Sequence, residues 1–164
     1  MSISIRQVTL EDLPSVLEII NHEILNSTSI YDYEPRTLAQ QTAIFKEKTE
    51  KKFPFILAEK NGLVVGFGTF GHFRFKEAYQ FTVEHSVYVH KDFTGNGIGS
   101  TLLKELIELA KLQKKHTMIG VIDSENVGSI SFHERMGFKN VGHLKQTGYK
   151  FERWLDSVIM QLML

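Results

Sequence analysis

Apolar and polar positions change their period several times along the chain, and each change marks an element. Ser2 to Val8 alternates, as a half-buried strand does. From Leu13 the period lengthens. Leu13, Val16, Leu17, Ile20 and Ile24 recur at helical spacing and predict a helix ending near Asn26. Thr9 suits its N-cap, with Asp12 standing where a capping box has Glu or Gln. Asn26-Ser27-Thr28-Ser29 breaks the pattern. A second, charged helix is predicted over Thr37 to Lys51, entered after Glu34-Pro35 and left before Pro54. Phe55 to Glu59 and Leu63 to Phe70 read as a hairpin closed around Asn61-Gly62. Gly71 to Ala78 is polar and irregular.

The stretch from Tyr79 to Ala110 has the sharpest change of period. Thr82, Val83, Val87, Tyr88 and Val89 are β-branched or aromatic and predict a strand. Thr94-Gly95-Asn96-Gly97-Ile98-Gly99 interrupts it. Ile98, Leu102, Leu106, Leu109 and Ala110 then give a helix. Beyond it, Thr117 to Ile122 reads as a buried strand and Ser129 to Met136 as a helix. Phe138 to Leu144 and Trp154 to Leu164 read as closing strands. The order is β-α-α-β-β-β-α-β-α-β-β: an α/β (α+β) chain with a mixed central sheet flanked by helices, in one domain over residues 1–164.

Strand, glycine-rich turn and helix together bring backbone N–H groups and a helix N-terminus to one place, which suits an anion. Glycine at 95, 97 and 99 lets a diphosphate approach that backbone. The same run also fits a plain tight turn. It is not a Rossmann fingerprint, because Ser100 stands where the third glycine belongs, and no Lys is placed for a P-loop.

Composition narrows the picture by exclusion. Lys and Arg number 19, as do Asp and Glu, so no charge excess points to nucleic acid or to a membrane surface. There is no cysteine, which excludes disulfides, thiolate metal sites and a cysteine nucleophile. The histidines at 22, 72, 90, 116 and 143 form no metal-ligand spacing, so no metal is expected. No apolar run reaches membrane-spanning length and no leader pattern opens the chain, so the expected location is cytoplasmic.

Two blocks carry a family resemblance. Val87-Tyr88-Val89, Thr94 to Gly99 and Leu102-Leu103 resemble the acetyl-CoA site of GNAT N-acetyltransferases. Asn126, Ser129, Ile130 and Phe132 to Phe138 resemble the late helix of that superfamily. Thr94 departs from the usual Arg or Gln. The resemblance implies the GNAT acyl-CoA N-acyltransferase fold. It implies acetyl-CoA held by the backbone of Ser86, Val87, Tyr88 and Val89, by Thr94, Gly95, Asn96, Gly97, Ile98, Gly99 and Ser100, and by Asn126. Asn126 also suits the N-cap of the helix that follows.

A narrower resemblance, to phosphinothricin and methionine sulfoximine acetyltransferases, rests on four segments. They are Asn26-Ser27-Thr28, Glu34 to Thr37, Thr82 to Val89, and the tail from Gly148-Tyr149-Lys150 to Gln161. It implies transfer of an acetyl group to the α-amine of a small amino acid or analogue, and a homodimer. It assigns acceptor contacts to Tyr31, Arg74, Lys76 and Tyr79, and gives Glu84 the role of base.

Chemistry gives Glu84 an independent case. An ammonium must lose a proton before it attacks a thioester, and a carboxylate in an apolar strand needs a task or a partner. A solvent-facing carboxylate would fit the same alternation. His133 lies where a proton donor to the departing thiolate is expected, and also suits a partly buried helix position. His85 points away from Glu84 and reads as packing or a hydrogen bond. The alternatives are another amine acceptor (polyamine, aminoglycoside or protein N-terminus) or an acyl-CoA-binding module without catalysis, which would need neither Glu84 nor His133.

Overall fold

The computed structural model describes residues 3–164, so Ser2 of the expected first strand lies outside them. The chain runs through β1 (Ser4–Gln7), α1 (Leu13–Asn26), α2 (Leu38–Glu50), β2 (Phe55–Lys60), β3 (Leu63–His72), β4 (Thr82–Val89), α3 (Ile98–Leu112), β5 (Thr117–Asp123), α4 (Val127–Arg135), β6 (Lys139–Lys150) and β7 (Arg153–Met163). The seven strands form one sheet in the order β1-β2-β3-β4-β5-β7-β6. All neighbours are antiparallel except β4 and β5.

Helices cover both faces. Ile98, Leu102, Leu106 and Ala110 of α3 pack with Phe70, Val83, Met118, Val158 and Met160 on one side. Leu13, Val16, Ile20 and Ile24 of α1 pack with Phe55, Leu57 and Phe67 on the other. Leu102 and Leu106 are wholly buried; cutting either to Ala costs about 2–5 kcal/mol.

Local chemistry sets the element ends. Thr9 and Asp12 meet as expected, but the hydroxyl of Thr9 donates to the carboxylate (2.9 Å) and its N–H donates to it as well (2.8 Å). A short 3-10 turn, Leu10–Asp12, therefore precedes α1. Arg6 holds the same carboxylate through two nitrogens, at 2.7 and 2.8 Å. α2 has a full capping box. Thr37 accepts from the Gln40 N–H at 3.2 Å, and Gln40 accepts from the Thr37 N–H at 2.8 Å.

The largest difference from the expected elements is β6, which continues six residues past Leu144 to Lys150. Its turn to β7 is Phe151-Glu152, with φ of 52° and 60°. A two-residue hairpin turn of this kind needs positive φ at both positions and normally takes Asn-Gly or Asp-Gly. Asn61-Gly62 shows that usual chemistry, at φ of 54° and 77°.

Strands β4 and β5 diverge. They pair only over Thr82 to Glu84 and Thr117 to Ile119, although β4 runs to Val89 and β5 to Asp123. Strand β3 stays paired to β4 as far as Val89. The β5-facing main chain beyond Glu84 thus has no strand partner, and the sheet opens as a wedge with Glu84 at its floor.

Candidate active site

The wedge leads into a cleft of about 860 Å³. Ser86, Val87, Tyr88 and Val89 line one wall with unpaired main chain. The Tyr88 ring itself packs on Phe67, 5.3 Å between centroids, in the α1-side core. Thr94, Gly95, Gly97, Ile98, Gly99 and Ser100 bring the turn and the first residues of α3 to the same cleft. Gly95 and Gly97 have φ of 78° and 75°, and a Cβ on either would meet no atom within 4 Å. The turn is thus left-handed at both positions, and the space above it is open. This is a backbone cradle at a helix N-terminus.

Asn96 and Thr94 take different places in this region. Asn96 does not line the cleft; its amide donates to the carbonyls of Phe93 and Thr94, both at 3.1 Å, and closes the turn. Thr94 lines it, but its hydroxyl donates to the Lys91 carbonyl at 3.3 Å. Arg135, on α4, brings a cation to the cleft that the spacing of the sequence did not reveal.

Asn126 caps α4 by accepting from the Ser129 N–H at 3.0 Å, and also lines the cleft. The cap expected of this residue is present, and its place on the cleft leaves it beside the space where a donor would lie. Phe93, Ser129 and Phe132 complete this part of the lining.

Glu84 is half-buried on the cleft. Burial pushes its carboxyl pKa up, while the charges of Arg74 and Lys48 pull it down. Lys48 was hidden in the charged pattern of α2. Its ammonium donates to the Phe70 carbonyl at 3.0 Å, and burial brings its pKa down to about 8.

His85 and His133 come together on the other side of β4. Their Nε2 atoms are 2.9 Å apart. His85 Nδ1 donates to the Ile119 carbonyl at 2.9 Å, and His133 Nδ1 donates to the Ser129 carbonyl at 2.7 Å. Gly120 makes room, since a Cβ there would stand 2.8 Å from His85 Cε1. Both rings reach the cleft wall and both are buried. The expected use of His133 as a direct donor to a thiolate meets an obstacle here. One ring nitrogen is bound to the helix and the other faces His85.

The expected acceptor residues lie outside the cleft lining. Tyr31 bonds Ser157 Oγ at 3.2 Å and covers Gly148, whose absent Cβ would stand 2.4 Å from the ring. Tyr79 meets Phe73 edge-on at 5.9 Å, and Lys76 precedes that turn in the solvent. Arg74 stacks on Phe73 and is felt by Glu84 as a charge. Glu23, Ser29 and Asp123, absent from the expected set, do line the cleft. Loop 27–35 is held from beneath by Lys150. That buried ammonium donates to the carbonyls of Ile24 (2.6 Å), Ser27 (2.8 Å) and Ile30 (2.6 Å).

Comparison with known proteins gives the chain its family. The family model described as an acetyltransferase (GNAT) domain matches residues 5–159. The chain belongs to the GNAT acetyltransferase family. It is 42% identical over 163 residues to the L-methionine sulfoximine/L-methionine sulfone acetyltransferase of Pseudomonas paraeruginosa, covering 99% of this chain and 95% of that one. An N-acetyltransferase from Staphylococcus aureus Mu50 superposes with a TM-score of 0.98 at 42% identity, covering 99% of both chains. A GNAT superfamily phosphinothricin acetyltransferase from Sinorhizobium meliloti, solved in complex with acetyl-CoA, superposes at 0.96 with 34% identity, covering 100% of this chain and 89% of that one. The seven-stranded mixed sheet with its four helices is the GNAT fold, and the chain is a GNAT N-acetyltransferase, an acyl-group transferase.

Proposed function

We propose that this enzyme acetylates the α-amine of a small amino acid or amino-acid analogue of the methionine sulfoximine, methionine sulfone or phosphinothricin type, with acetyl-CoA as donor. The single observation that carries the reading is the position of Glu84: half-buried at the floor of the wedge, where β4 and β5 part, with its pKa raised by burial. A substrate ammonium brought there meets a carboxylate suited to accept its proton. The neutral amine then attacks the thioester carbon, the C–S bond breaks, and the nitrogen's remaining extra proton passes to the departing sulfur, so that the amide and the free CoA thiol form together.

The cleft suits the donor. Main chain from Ser86 to Val89 is free to pair with the amides of the pantetheine arm as an added strand would. The N–H groups of the Gly95 to Gly99 turn suit the pyrophosphate, and Arg135 brings a cation to the same cleft. Asn126 has given its carbonyl oxygen to the α4 cap, which leaves its amide nitrogen for the donor.

Arg74 and Lys76 favour an acceptor that carries an acid. A second reading has its own support. Glu23, Glu84 and Asp123 all line the cleft, a carboxylate set that would also suit a polyamine. Release of free CoA thiol decides between them, measured with methionine sulfoximine, methionine sulfone, phosphinothricin and spermidine. Turnover with the first three and none with spermidine supports the amino-acid reading; the reverse overturns it.

We also propose a homodimer. Strand β6 is a long edge, and Val141, Leu144, Tyr149, Phe151 and Trp154 are exposed on or beside it. Light scattering at micromolar concentration reads the mass; a monomer alone would refute it.

A further inference from the structure

The two-histidine contact has a chemical consequence. Each Nδ1 lies against a carbonyl oxygen, which only accepts, so each Nδ1 carries a hydrogen. In two neutral rings both Nε2 atoms are then bare, and two lone pairs would face each other at 2.9 Å. A proton between them turns this repulsion into a charge-assisted N–H···N hydrogen bond.

We infer that His85 and His133 bind one proton between their Nε2 atoms, and that His85 is thereby a positioning residue that ties α4 to the floor of the acetyl-CoA cleft. The tie runs from the Ile119 carbonyl through His85 and His133 to the Ser129 carbonyl. It crosses from β5 through β4 to α4 just beyond Glu84 and Ile119, where ladder pairing has ended. Helix α4 carries Asn126, Ser129, Phe132 and Arg135 into the cleft. Fixing this helix fixes one wall.

The pair holds no more than one proton. Burial opposes charge on both rings, and the neighbouring ring opposes a second charge on His85. Among the described residues no other charged group compensates. Glu84 of β4 faces the opposite side of the sheet. On β5, Asp123 lies three residues beyond Gly120. Glu134 and Arg135 of α4 and Lys139 of β6 are exposed, and none of these five acts on either ring. Phe138 packs on both rings, at 5.3 and 5.2 Å between centroids.

The sign of the pH dependence follows. The tie exists while the shared proton is present and is lost as pH rises and the proton leaves. Acetyl-CoA affinity should weaken in the same direction.

Nitrogen NMR of ¹⁵N-histidine-labelled protein tests the proton directly. The expected result, within about pH 5 to 8, is hydrogen on both Nδ1 atoms and one proton coupled to both Nε2 atoms. Two neutral rings with no shared proton throughout that range overturn the inference. Calorimetry with acetyl-CoA tests the tie. His85→Phe should weaken binding at least about tenfold, the scale of a lost buried hydrogen bond, and abolish its pH dependence. His85→Gln, which still offers His133 an N–H and does not itself titrate, should bind within about threefold of wild type at the low-pH end, a difference well under one hydrogen bond, and should lose less affinity than wild type as pH rises. Equal affinities and equal pH dependence in wild type and His85→Phe overturn the positioning role. The calorimetric arm rests on the acetyl-CoA reading of the cleft, whereas the NMR arm does not, so failure of one is distinguishable from failure of the other.

Discussion

Glu84 and His85, adjacent in β4, present a titratable group to each face of the sheet at the level where β4 and β5 part. One residue of offset sends their side chains to opposite sides. Glu84 lies on the side reached by Lys48 from α2, and His85 on the side of α4. A carboxyl raised by burial and an imidazole lowered by burial are thus one residue apart on opposite faces of the sheet.

Replacing Glu84 by Gln keeps the shape and removes the base. Turnover should fall by about 10²–10⁴, the usual contribution of a general base, with acetyl-CoA binding little changed. Steady-state kinetics and calorimetry on one preparation check both halves. Loss of turnover within threefold would remove Glu84 from the mechanism, since that lies below the scale of base catalysis.

Lys48 gives that carboxylate a handle. The base works ionised, so kcat/KM falls as pH falls through the Glu84 pKa. Burial raises that pKa, and the Lys48 charge restrains it. Lys48→Met removes the restraint, and the acid limb of the kcat/KM profile should move to higher pH with the plateau unchanged. A limb that stays in place would mean that solvent screens the two groups from each other.

The Arg6–Asp12 contact makes a claim about stability. The Arg6 guanidinium and the Thr9 N–H hold the Asp12 carboxyl down at about 2. Its folded pKa is below its unfolded value of about 3.9. The contribution is therefore complete above that unfolded value and is lost as pH falls towards 2. Asp12→Asn should unfold at lower urea than wild type at pH 7, and the two should converge as the pH approaches 2. A gap that persists at low pH would assign the effect to packing.

Gly97 bears on the cradle. Valine there must adopt φ near 75°, which costs roughly 1–2 kcal/mol for a residue with a Cβ, or about 2–4 °C of Tm per kcal/mol in a chain of this size. Acetyl-CoA binding should be lost while far-ultraviolet circular dichroism stays near wild type. Tight binding in Gly97→Val would move the phosphates elsewhere.

The sequence made some features legible because their causes are local. Alternation in Thr82 to Val89, the helical period after Ile98 and the glycines between them predict β4, the cradle and α3 within a residue or two. Asn61-Gly62 is read as a turn because its chemistry is the usual one. Phe151-Glu152 takes the same conformation without that chemistry, so the second half of β6 went unread. The histidine pair is 48 positions apart and depends on space left by Gly120, a contact that no periodicity encodes. Lys48 is one of several charges on a polar helix, and its reach to the Phe70 carbonyl depends on how that helix packs. Glu23, Ser29 and Asp123 reach the cleft from elements with unrelated patterns. Packing brings these together, and packing is not written in any one segment.

Arg74 allows the substrate question to be asked of a single side chain. It lies outside the cleft lining, yet its charge reaches Glu84. Two mechanisms would make Arg74→Ala a poor enzyme, and they differ in what they predict. If Arg74 holds the acid of the acceptor, the contact is a charge-assisted hydrogen bond worth roughly 1.5–3 kcal/mol, or about one to two powers of ten in KM. Removing the acid from the substrate should then cost wild type a similar factor. The two losses should not add, because they delete one contact. If Arg74 acts only through Glu84, its removal lets the Glu84 pKa rise. The acid limb of kcat/KM then moves up for acid-bearing and acid-free amines alike. We expect the first pattern: KM for methionine sulfoximine raised ten- to a hundredfold, as that contact energy requires, with no further loss when the acid is also absent. Additive losses, or a uniform shift of the acid limb, would return Arg74 to the solvated loop. The cleft carboxylates Glu23, Glu84 and Asp123 would then define the acceptor, and a polycation would replace the amino acid.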